Sequence, residues 1–410
     1  MKKISVIGAG FAGLTVSLRL AQKGYAVDLY ESSSRVGGLL GTDRTEHGIA
    51  EHAANALIRT ERAEKLFQEL GITPSYPLDS SKKRFIFRYT PRKWPLTFLE
   101  TLFFISKFLP KFLFSKSSLK PRDQETLENW GRRNLGATAT EYLLGPAMQG
   151  IYGNEISGLS SKLILSPLFS GRREKYKGLL TGPGGMQDLI NKIELRLKEL
   201  GVHIHTNSSV DLKNLQGVVI IATPANVAAQ LLEDTHAELS AILTKIRMSS
   251  LMSSTLFFSK AQETYKGFGC LIPRGFGIKT MGILMNSYIF KDRDKTYNET
   301  WIMGGVKEEQ LLEMSDEAIL KLIAEERFQV LGAKQSLLEY RINRWNKALP
   351  YYDLHLEEAQ KKMADLNLTL AIEADAKKIF LHGNYLSGIG LSKILERSDL
   401  LAAEIGRQHG

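Results

Sequence analysis

The 410-residue sequence has a single cysteine, Cys270, which excludes an internal disulfide and a cysteine-rich metal site. It also lacks any apolar run of the roughly 18 residues needed to span a bilayer. Neither zinc-ligand spacing nor an aromatic RNA-binding signature accompanies its formal net charge of +10, so we expect no nucleic-acid partner. The charge then indicates an anionic membrane surface or an anionic small molecule.

Hydrophobic residues make up 43% and charged residues 24% of the chain, which is typical of a soluble globular protein. The length predicts two or three domains. The start, Lys2 and Lys3 before an apolar stretch, resembles a signal peptide, but glycines at nucleotide-binding spacing follow and no cleavage site does. We therefore interpret it as the first strand of a mature, cytoplasmic protein.

The first 30 residues have the pattern of a βαβ unit. Residues 4–7 form a short apolar run typical of a buried parallel strand. Leu14 and Leu18 then recur at helical spacing, and Gly24 ends the predicted helix. A second strand is predicted over residues 26–30. This order of elements is that of a dinucleotide-binding unit.

Glycines and one carboxylate carry the predicted chemistry of this unit. Gly8 permits a tight turn, Gly10 lets the backbone approach a pyrophosphate, and Gly13 lets the helix pack closely on the strand. The helix N-terminus offers unpaired N–H groups to the phosphates. Glu31 is placed to accept hydrogen bonds from ribose hydroxyls. The predicted contacts of the unit are Gly8, Gly10, Phe11, Ala12, Gly13, Glu31 and Ser32.

The rest of the chain predicts a nucleotide domain assembled from three pieces, 1–79, 179–235 and 366–410. Between them lie a basic, aromatic and mostly helical membrane- or substrate-binding segment, 80–178, and a substrate-binding domain, 236–365. Further strands are predicted over 202–206, 218–221, 254–259, 269–272, 280–287, 300–303 and 379–381, and helices over 315–330, capped by Ser315, and 394–408.

The residues after Glu31 distinguish between nucleotides. With Arg35, Gly37 and Gly38 they form E-x-x-x-R-x-G-G, which resembles the second half of the FAD signature of the flavin amine oxidase superfamily. The resemblance implies that the glycine pair approaches the phosphate and ribityl chain and that Arg35 adds a cation. The alternative is an ordinary loop.

Several later stretches resemble protoporphyrinogen oxidases, in order and over nearly the whole chain. These stretches are 145–159, 182–189, 268–273, 280–290, 344–351 and 383–398. Two departures affect the substrate assignment: Ser398 stands where the family usually has glycine, and the chain is short for a protoporphyrinogen oxidase. The resemblance implies a discontinuous α/β Rossmann-like FAD domain with an inserted α+β substrate domain.

The resemblance also assigns roles to residues. In the FAD site, Val210 would contact adenine through its backbone, Trp345 would lie beside the isoalloxazine ring, and a glycine-rich turn would meet the flavin pyrimidine edge. The further residues assigned to the cofactor are Leu39, Ala53, Ala54, Asn55, Gly383, Asn384, Ile389, Gly390 and Leu391. In the substrate site, Arg84 would pair with a propionate, and Gly150, Leu271 and Met285 would contact the macrocycle.

No catalytic side chain and no metal site is predicted, since a flavin takes the hydride at its N5 atom. The resemblance implies a six-electron oxidation of a porphyrinogen in three flavin cycles, using three O2 and releasing H2O2, as in heme biosynthesis. Other superfamily activities (amine oxidation, desaturation or sugar modification) and a non-catalytic flavin-binding scaffold remain alternatives. Homodimer formation and peripheral membrane contact are left open.

Residues 94–120 combine large apolar side chains with Lys107, Lys111, Lys116 and Lys120. One interpretation is an interfacial amphipathic element that admits an apolar substrate from a membrane. The other is a core helix with a solvated basic face, and the pattern favours this second interpretation.

Overall fold

Two large sheets and the helices packed on them form most of the described chain, which comprises residues 3–169, 178–365, 372–374 and 377–409 of a computed structural model. Over these residues the strands are β1 (Lys3–Ile7), β2 (Ala26–Tyr30), β3 (Thr42–Arg44), β4 (Ile49–Glu51), β5 (Leu57–Ile58), β6 (Phe85–Arg88), β7 (Thr90–Arg92), β8 (Leu179–Leu180), β9 (His203–His205), β10 (Gly217–Ile221), β11 (Met248–Phe258), β12 (Gly269–Leu271), β13 (Gly282–Leu284), β14 (Tyr297–Gly304), β15 (Leu337–Pro350), β16 (Ile372–Ala374) and β17 (Lys377–Leu381).

Over the same residues the α-helices are α1 (Phe11–Gln22), α2 (Glu61–Glu69), α3 (Phe98–Phe114), α4 (Leu127–Asn134), α5 (Ala137–Ala139), α6 (Gly145–Tyr152), α7 (Ser161–Leu165), α8 (Met186–Glu199), α9 (Ala225–Leu232), α10 (Ala237–Thr244), α11 (Asp316–Leu331), α12 (Leu354–Asp365), α13 (Asn384–Ser387) and α14 (Leu391–His409). The predicted start of the third nucleotide-domain piece, residue 366, lies outside the described residues.

The first sheet has the strand order β16-β17-β10-β1-β2-β9. Its pairs are parallel except β16 with β17, and Val6 of β1 stands between Leu29 of β2 and Ile220 of β10. Helices cover both faces, because Leu18 of α1 lies in one buried cluster and Leu243 of α10 in another. Burial on both faces explains why these strands read as continuous apolar runs rather than alternating ones.

The second sheet has the order β15-β11-β14-β13-β12-β6-β7, with β6 and β12 parallel and the other pairs antiparallel. Cys270, Ile283 and Trp301 point to one face and form a core with α11. Helix α11 begins as predicted, since the Ser315 hydroxyl accepts a hydrogen bond from Ala318 N at 3.3 Å. The opposite face is turned towards the first sheet and is described below.

Three details differ from the predictions. β6 and β7 lie within the segment expected to be mostly helical, and they complete the second sheet by pairing Phe85 with Cys270. The strand predicted over 280–287 is limited to β13, because a 3-10 turn follows at Asn286–Tyr288. β15 was not predicted as a strand, since its charged and aromatic residues do not alternate clearly with apolar ones.

Helix α3 contradicts the favoured core interpretation of residues 94–120, because none of its 17 residues is buried. Its half-buried side carries the lysines: Lys107 Nζ donates to Arg132 O and Lys111 Nζ donates to Arg133 O, both at 2.8 Å. The basic side therefore meets α4, and the apolar side points outward. Helical spacing shows which residues share a face, but not which face meets the protein.

Candidate functional site: a dinucleotide cradle and an aliphatic cleft

The glycine turn between β1 and α1 leaves no room for side chains. Gly8 has φ +95°, a conformation that favours glycine, and a Cβ at Gly13 would overlap the carbonyl oxygen of Gly8. No side chain caps the N-terminus of α1 at Gly10. The first N–H groups of α1 are thus available to an anion, as a pyrophosphate site requires.

The second glycine pair lies directly against this turn. Gly37 N donates to Ala9 O at 2.8 Å, and Gly10 and Gly37 form an isolated parallel bridge. A Cβ at Gly38 would lie 3.0 Å from the Cα of Gly10. The structure therefore brings the two halves of the predicted signature together. We call the site formed by the backbone of Gly8, Gly10, Gly13, Gly37 and Gly38 the glycine cradle, and side chains at these positions would fill it.

Glu31 stands at the carboxyl end of β2, at the mouth of this cradle. Its carboxylate accepts hydrogen bonds from Ala9 N at 2.8 Å, from Ser33 N at 2.9 Å and from the Ser32 hydroxyl at 3.4 Å. Arg35 instead donates to backbone carbonyl oxygens, those of Gly38 at 2.7 Å and Leu40 at 2.9 Å. In the structure Arg35 stabilises the loop, and its predicted phosphate contact stays a prediction.

Val210 follows a segment that runs beside Glu31. Asn207 N donates to Ser33 O at 2.9 Å and Ser208 N donates to Glu31 O at 2.8 Å. These bonds place Val210 near the ribose end of the cradle, half-buried and packed against the core. Its contact with adenine stays a prediction.

The residues assigned to the flavin end come from distant parts of the chain. Trp345 Nε1 on β15 donates to His52 O at 2.9 Å, and the Ser253 hydroxyl on β11 donates to the same oxygen at 2.6 Å. These bonds join the second sheet to the backbone just before Ala53, Ala54 and Asn55. Leu39 follows the second glycine pair directly.

The last glycine-rich turn lies where α14 begins. Ile389 and Gly390 precede the first residue of that helix, Leu391, and the Ser392 hydroxyl donates to Ile58 O at 2.6 Å. Gly383 and Asn384 open α13 just before this turn, and the Tyr352 hydroxyl donates to Asn384 O. The N-terminus of α14 would stabilise negative charge on the pyrimidine edge of a flavin placed against it.

The face of the second sheet that carries Trp345 is partly exposed. Register pairs Ile86 with Leu271, Leu271 with Gly282, and Gly282 with Ile302, so these side chains share one face. Ile302 pairs with Ser253, and Ser253 pairs with Asn343. Trp345 follows Asn343 by two residues and therefore lies on the same face. We call Ile86, Leu271, Leu284, Ile302 and Trp345 the cleft face.

Three predicted substrate residues fall differently around this face. Gly150 of α6 lies against Leu271, since a Cβ there would come within 2.6 Å of Leu271 Cδ2. Arg84 lies exposed two residues before Ile86, with its guanidinium carbon 5.0 Å from the Phe268 ring centroid. Met285 is corrected, because it is fully buried in the core behind the sheet, where its sulfur contacts Gln262.

A buried ion pair that the sequence did not reveal joins the β3–β4 strand pair to the segment before β14. Glu51 ends β4, accepts a hydrogen bond from Met186 N at 3.2 Å and pairs with Arg293. Burial raises the pKa of Glu51, and the charge of Arg293 opposes this shift. Glu51 therefore satisfies the N-terminus of α8 and connects the nucleotide and cleft regions, a long-range contact that no local pattern signals.

Ser398, the departure from the family pattern, has a defined structural role. Its hydroxyl lies 2.8 Å from His382 Nε2 and 2.8 Å from the Thr15 hydroxyl, and all three residues are fully buried. Burial, together with the charge of Arg397, lowers the pKa of His382 to about 3. A neutral histidine thus links the end of β17 to α14 and, through Ser398, to α1.

Comparison with known proteins agrees with this geometry. The model of the family described as flavin containing amine oxidoreductase matches residues 11–212. By this match the chain resembles the flavin amine oxidase superfamily, and its named relatives are protoporphyrinogen and coproporphyrinogen oxidases.

Individual relatives align with nearly the whole length of this chain. Protoporphyrinogen oxidase 2 of Arabidopsis thaliana is 24% identical and aligns with 96% of this chain and 91% of its own. Coproporphyrinogen III oxidase of Bacillus subtilis is 22% identical, covering 97% and 96%. A solved Exiguobacterium sp. 255-15 structure, provisionally assigned as a protoporphyrinogen oxidase, has a TM-score of 0.79, 17% identity and coverage of 100% and 99%, which shows the fold.

The protein is an FAD-dependent oxidoreductase with a Rossmann-like FAD domain and a substrate domain. The residues present fit FAD, because the glycine cradle admits backbone only and the N-terminus of α1 is uncapped. Bound FAD supplies hydride acceptance, which the side chains of this protein do not offer. The residues that would hold the dinucleotide are Gly8, Gly10 and Glu31.

Proposed function

We propose that this protein oxidises a porphyrinogen, protoporphyrinogen IX or coproporphyrinogen III, to the porphyrin, with O2 as acceptor and H2O2 as product. The observation that carries the proposal is the cleft face. Its aliphatic side chains share the sheet face that carries Trp345, and Arg84 is exposed two residues before Ile86, with no carboxylate within salt-bridge distance among the described residues. A flat apolar macrocycle with anionic propionates complements that arrangement.

The same features disfavour the amine oxidase alternative. An amine site would be expected to present an aromatic cage around a cation. Among the described strand residues of this sheet face, the aromatic side chains are Trp345 and the fully buried Phe257, which leaves Trp345 without an exposed aromatic partner there. The free cation at the rim, Arg84, would also repel a protonated amine. An oxidised porphyrin product would place the reaction in heme biosynthesis.

Anaerobic mixing tests the proposal directly. The purified yellow protein is mixed with protoporphyrinogen IX, coproporphyrinogen III or an aliphatic amine, and flavin absorbance is followed. We expect one porphyrinogen to bleach the flavin and the amine to leave it unchanged. Bleaching by the amine alone would exclude the proposal, and no bleaching by any of the three would favour a non-catalytic scaffold.

Arg84→Ala tests the propionate contact. Loss of a charge-assisted hydrogen bond should raise the KM for the porphyrinogen by about 10-fold or more, with flavin content unchanged. Lys83→Ala is the matched control, since Lys83 is an adjacent exposed cation. Equal KM values for the two variants would remove Arg84 from the substrate site.

The outward side of α3 supports a peripheral membrane contact through which an apolar substrate would enter. No helix in the described ranges is both long and apolar enough to cross a bilayer. A cytoplasmic location and a homodimer stay predictions.

A further inference from the structure

The outward side of α3 is a continuous apolar surface. Leu102, Ile105, Leu109 and Leu113 follow helical spacing and are between 41% and 56% exposed, while Phe114 at the end is 85% exposed. The helix is about 25 Å long. Such a surface exceeds the scattered apolar residues of an ordinary monomer and indicates a binding partner.

The charges around α3 have one sign. Glu100 is its one acidic residue, and it is engaged at the N-terminus by the Thr97 capping box and by Arg88 at 2.6 Å. Lys107 and Lys111 are held against α4 on the inner side. The partner must therefore offer an apolar surface and accept the positive charge of the α3 lysines. An anionic bilayer surface meets both conditions better than a basic protein does.

A basic pocket of about 410 Å³ lies where α3 ends. Residues of α3, the following turn and α4 line it, namely Lys111, Ser117, Ser118, Lys120, Pro121, Arg122 and Arg133. This volume is within the roughly 300–1,000 Å³ typical of small-ligand sites.

The cations that line the pocket differ in how they are held: one is hydrogen-bonded to the protein and two are exposed. Arg133 is fixed by both carboxylate oxygens of Glu125 at 2.8 Å and by Ser118 O at 2.8 Å. Lys120 and Arg122 are half-exposed or exposed and have no carboxylate within salt-bridge distance among the described residues. Burial and the neighbouring cations Arg133, Lys107 and Arg122 lower the pKa of Lys111. Lys111, Lys120 and Arg122 thus add positive charge here beyond what Glu125 balances.

We propose that this pocket binds the phosphate of an anionic phospholipid, so that the apolar side of α3 enters the adjoining acyl layer. The pocket opens at the end of the same helix, and one lipid molecule therefore satisfies both features: its phosphodiester meets Lys120 and Arg122, and its chains meet Leu109 and Leu113. The inference rests on the membrane contact of the proposed function and identifies the lipid class.

Vesicle sedimentation tests the proposal with full-length, flavin-loaded protein. We expect binding to vesicles that contain phosphatidylglycerol and weak binding to phosphatidylcholine alone. Each cation is expected to contribute about five-fold, so Lys120→Gln with Arg122→Gln should weaken binding by about 30-fold. The control pair Lys192→Gln with Lys321→Gln removes the same charge from exposed, distant helices and should bind like wild type.

A second pair separates the apolar contribution. Leu102→Ser with Leu113→Ser should abolish binding to both vesicle types, whereas Leu195→Ser with Leu400→Ser, which are similarly exposed at 51% and 58%, should not. Light scattering checks for self-association. A dimer that the α3 variant disrupts, without vesicle binding, would overturn the proposal in favour of a second copy of the chain.

The remaining outcomes are distinguishable. Equal vesicle binding by the Lys120/Arg122 variant and its control would overturn the phosphate site while leaving the membrane contact. If the protein binds inorganic phosphate but no vesicles, the pocket is a site for free phosphate and the lipid proposal is overturned. Flavin bleaching by porphyrinogen in vesicle-free solution reports separately on the oxidase function and should be unchanged in every variant.

Discussion

Helices α1 and α3 are both rich in apolar residues but have opposite environments. Ten of the 12 residues of α1 are buried, whereas none of the 17 residues of α3 is. α1 lies between the parallel sheet and helices α8 and α14, so every side is covered. α3 contacts the protein mainly through lysines and a capping carboxylate. Apolar content therefore does not decide burial; the neighbouring elements do.

The contrast follows function. α1 holds a cofactor that must be fixed relative to two sheets, and rigid packing provides that precision. α3 is held at its basic side and leaves its apolar side for a partner. The two helices should accordingly respond differently to substitution, to cofactor loss and to pH.

The largest effect is expected at the tightest contact of α1. Gly13→Ala would place a Cβ on the carbonyl oxygen of Gly8, so we expect a loss of about 3 kcal/mol in the free energy of unfolding and loss of bound flavin. Flavin absorbance per protein and urea unfolding measure both. Gly406→Ala, which meets no atom within 4 Å, is the control. If the Gly13→Ala variant retained its flavin, the assignment of the glycine turn as the flavin site would be wrong.

A matched leucine pair tests the comparison itself. Leu18→Ala on α1 removes a fully buried side chain and should lower the free energy of unfolding by about 3 kcal/mol. Leu102→Ala on α3, where the leucine is 48% exposed, should change it by less than about 0.5 kcal/mol. Urea denaturation of both variants decides. Similar losses would mean that α3 is covered in solution.

Lowering the pH should reduce the free energy of unfolding through His382, which is linked to α1 by Ser398. The pKa of His382 is about 3 in the folded protein, below its usual 6.5, so below pH 6.5 only the unfolded chain gains this proton. Stability should fall by about 2 kcal/mol between pH 7 and pH 5 because of this residue. His382→Gln should reduce that loss, and His355→Gln, on an exposed histidine, should not. An unchanged pH slope in His382→Gln would disprove this linkage.

The α3 anchor is expected to persist under the same conditions. Hydrogen bonding from Arg88 lowers the pKa of Glu100 to about 2, so the Glu100 carboxylate stays charged at pH 5. Its contribution is therefore present above the usual glutamate pKa and is lost only as the pH falls towards 2.

Local patterns predicted the nucleotide region well. β2 matches its predicted bounds, β1 and β10 each extend one residue further, and Ser315 caps α11 as expected. The reason is that glycine spacing, caps and continuous apolar strands are short-range signals, each with a direct steric or hydrogen-bonding cause. The contact between Gly10 and Gly37 also follows from the motif order.

Long-range partners could not be predicted from those signals. β6 is far from β12 in sequence, and Glu51 is far from Arg293, so nothing local indicates either pair. Met285 lies two residues after Ile283, and alternation along the strand places both in the core behind the sheet. Strand pairing and side-chain direction depend on register, and register depends on the whole sheet.

The sequence by itself determined that the chain binds a dinucleotide, since three glycines, a helix start and a terminal carboxylate at this spacing act through the backbone alone. Only the tertiary structure decided which of the predicted substrate residues lie at the cleft face and which side of α3 faces outward. Arg84 precedes β6 beside the cleft face, and α6 brings Gly150 against Leu271, while Met285 lies in the core behind the sheet. The outward apolar side of α3 results from two lysines that bond to the end of α4.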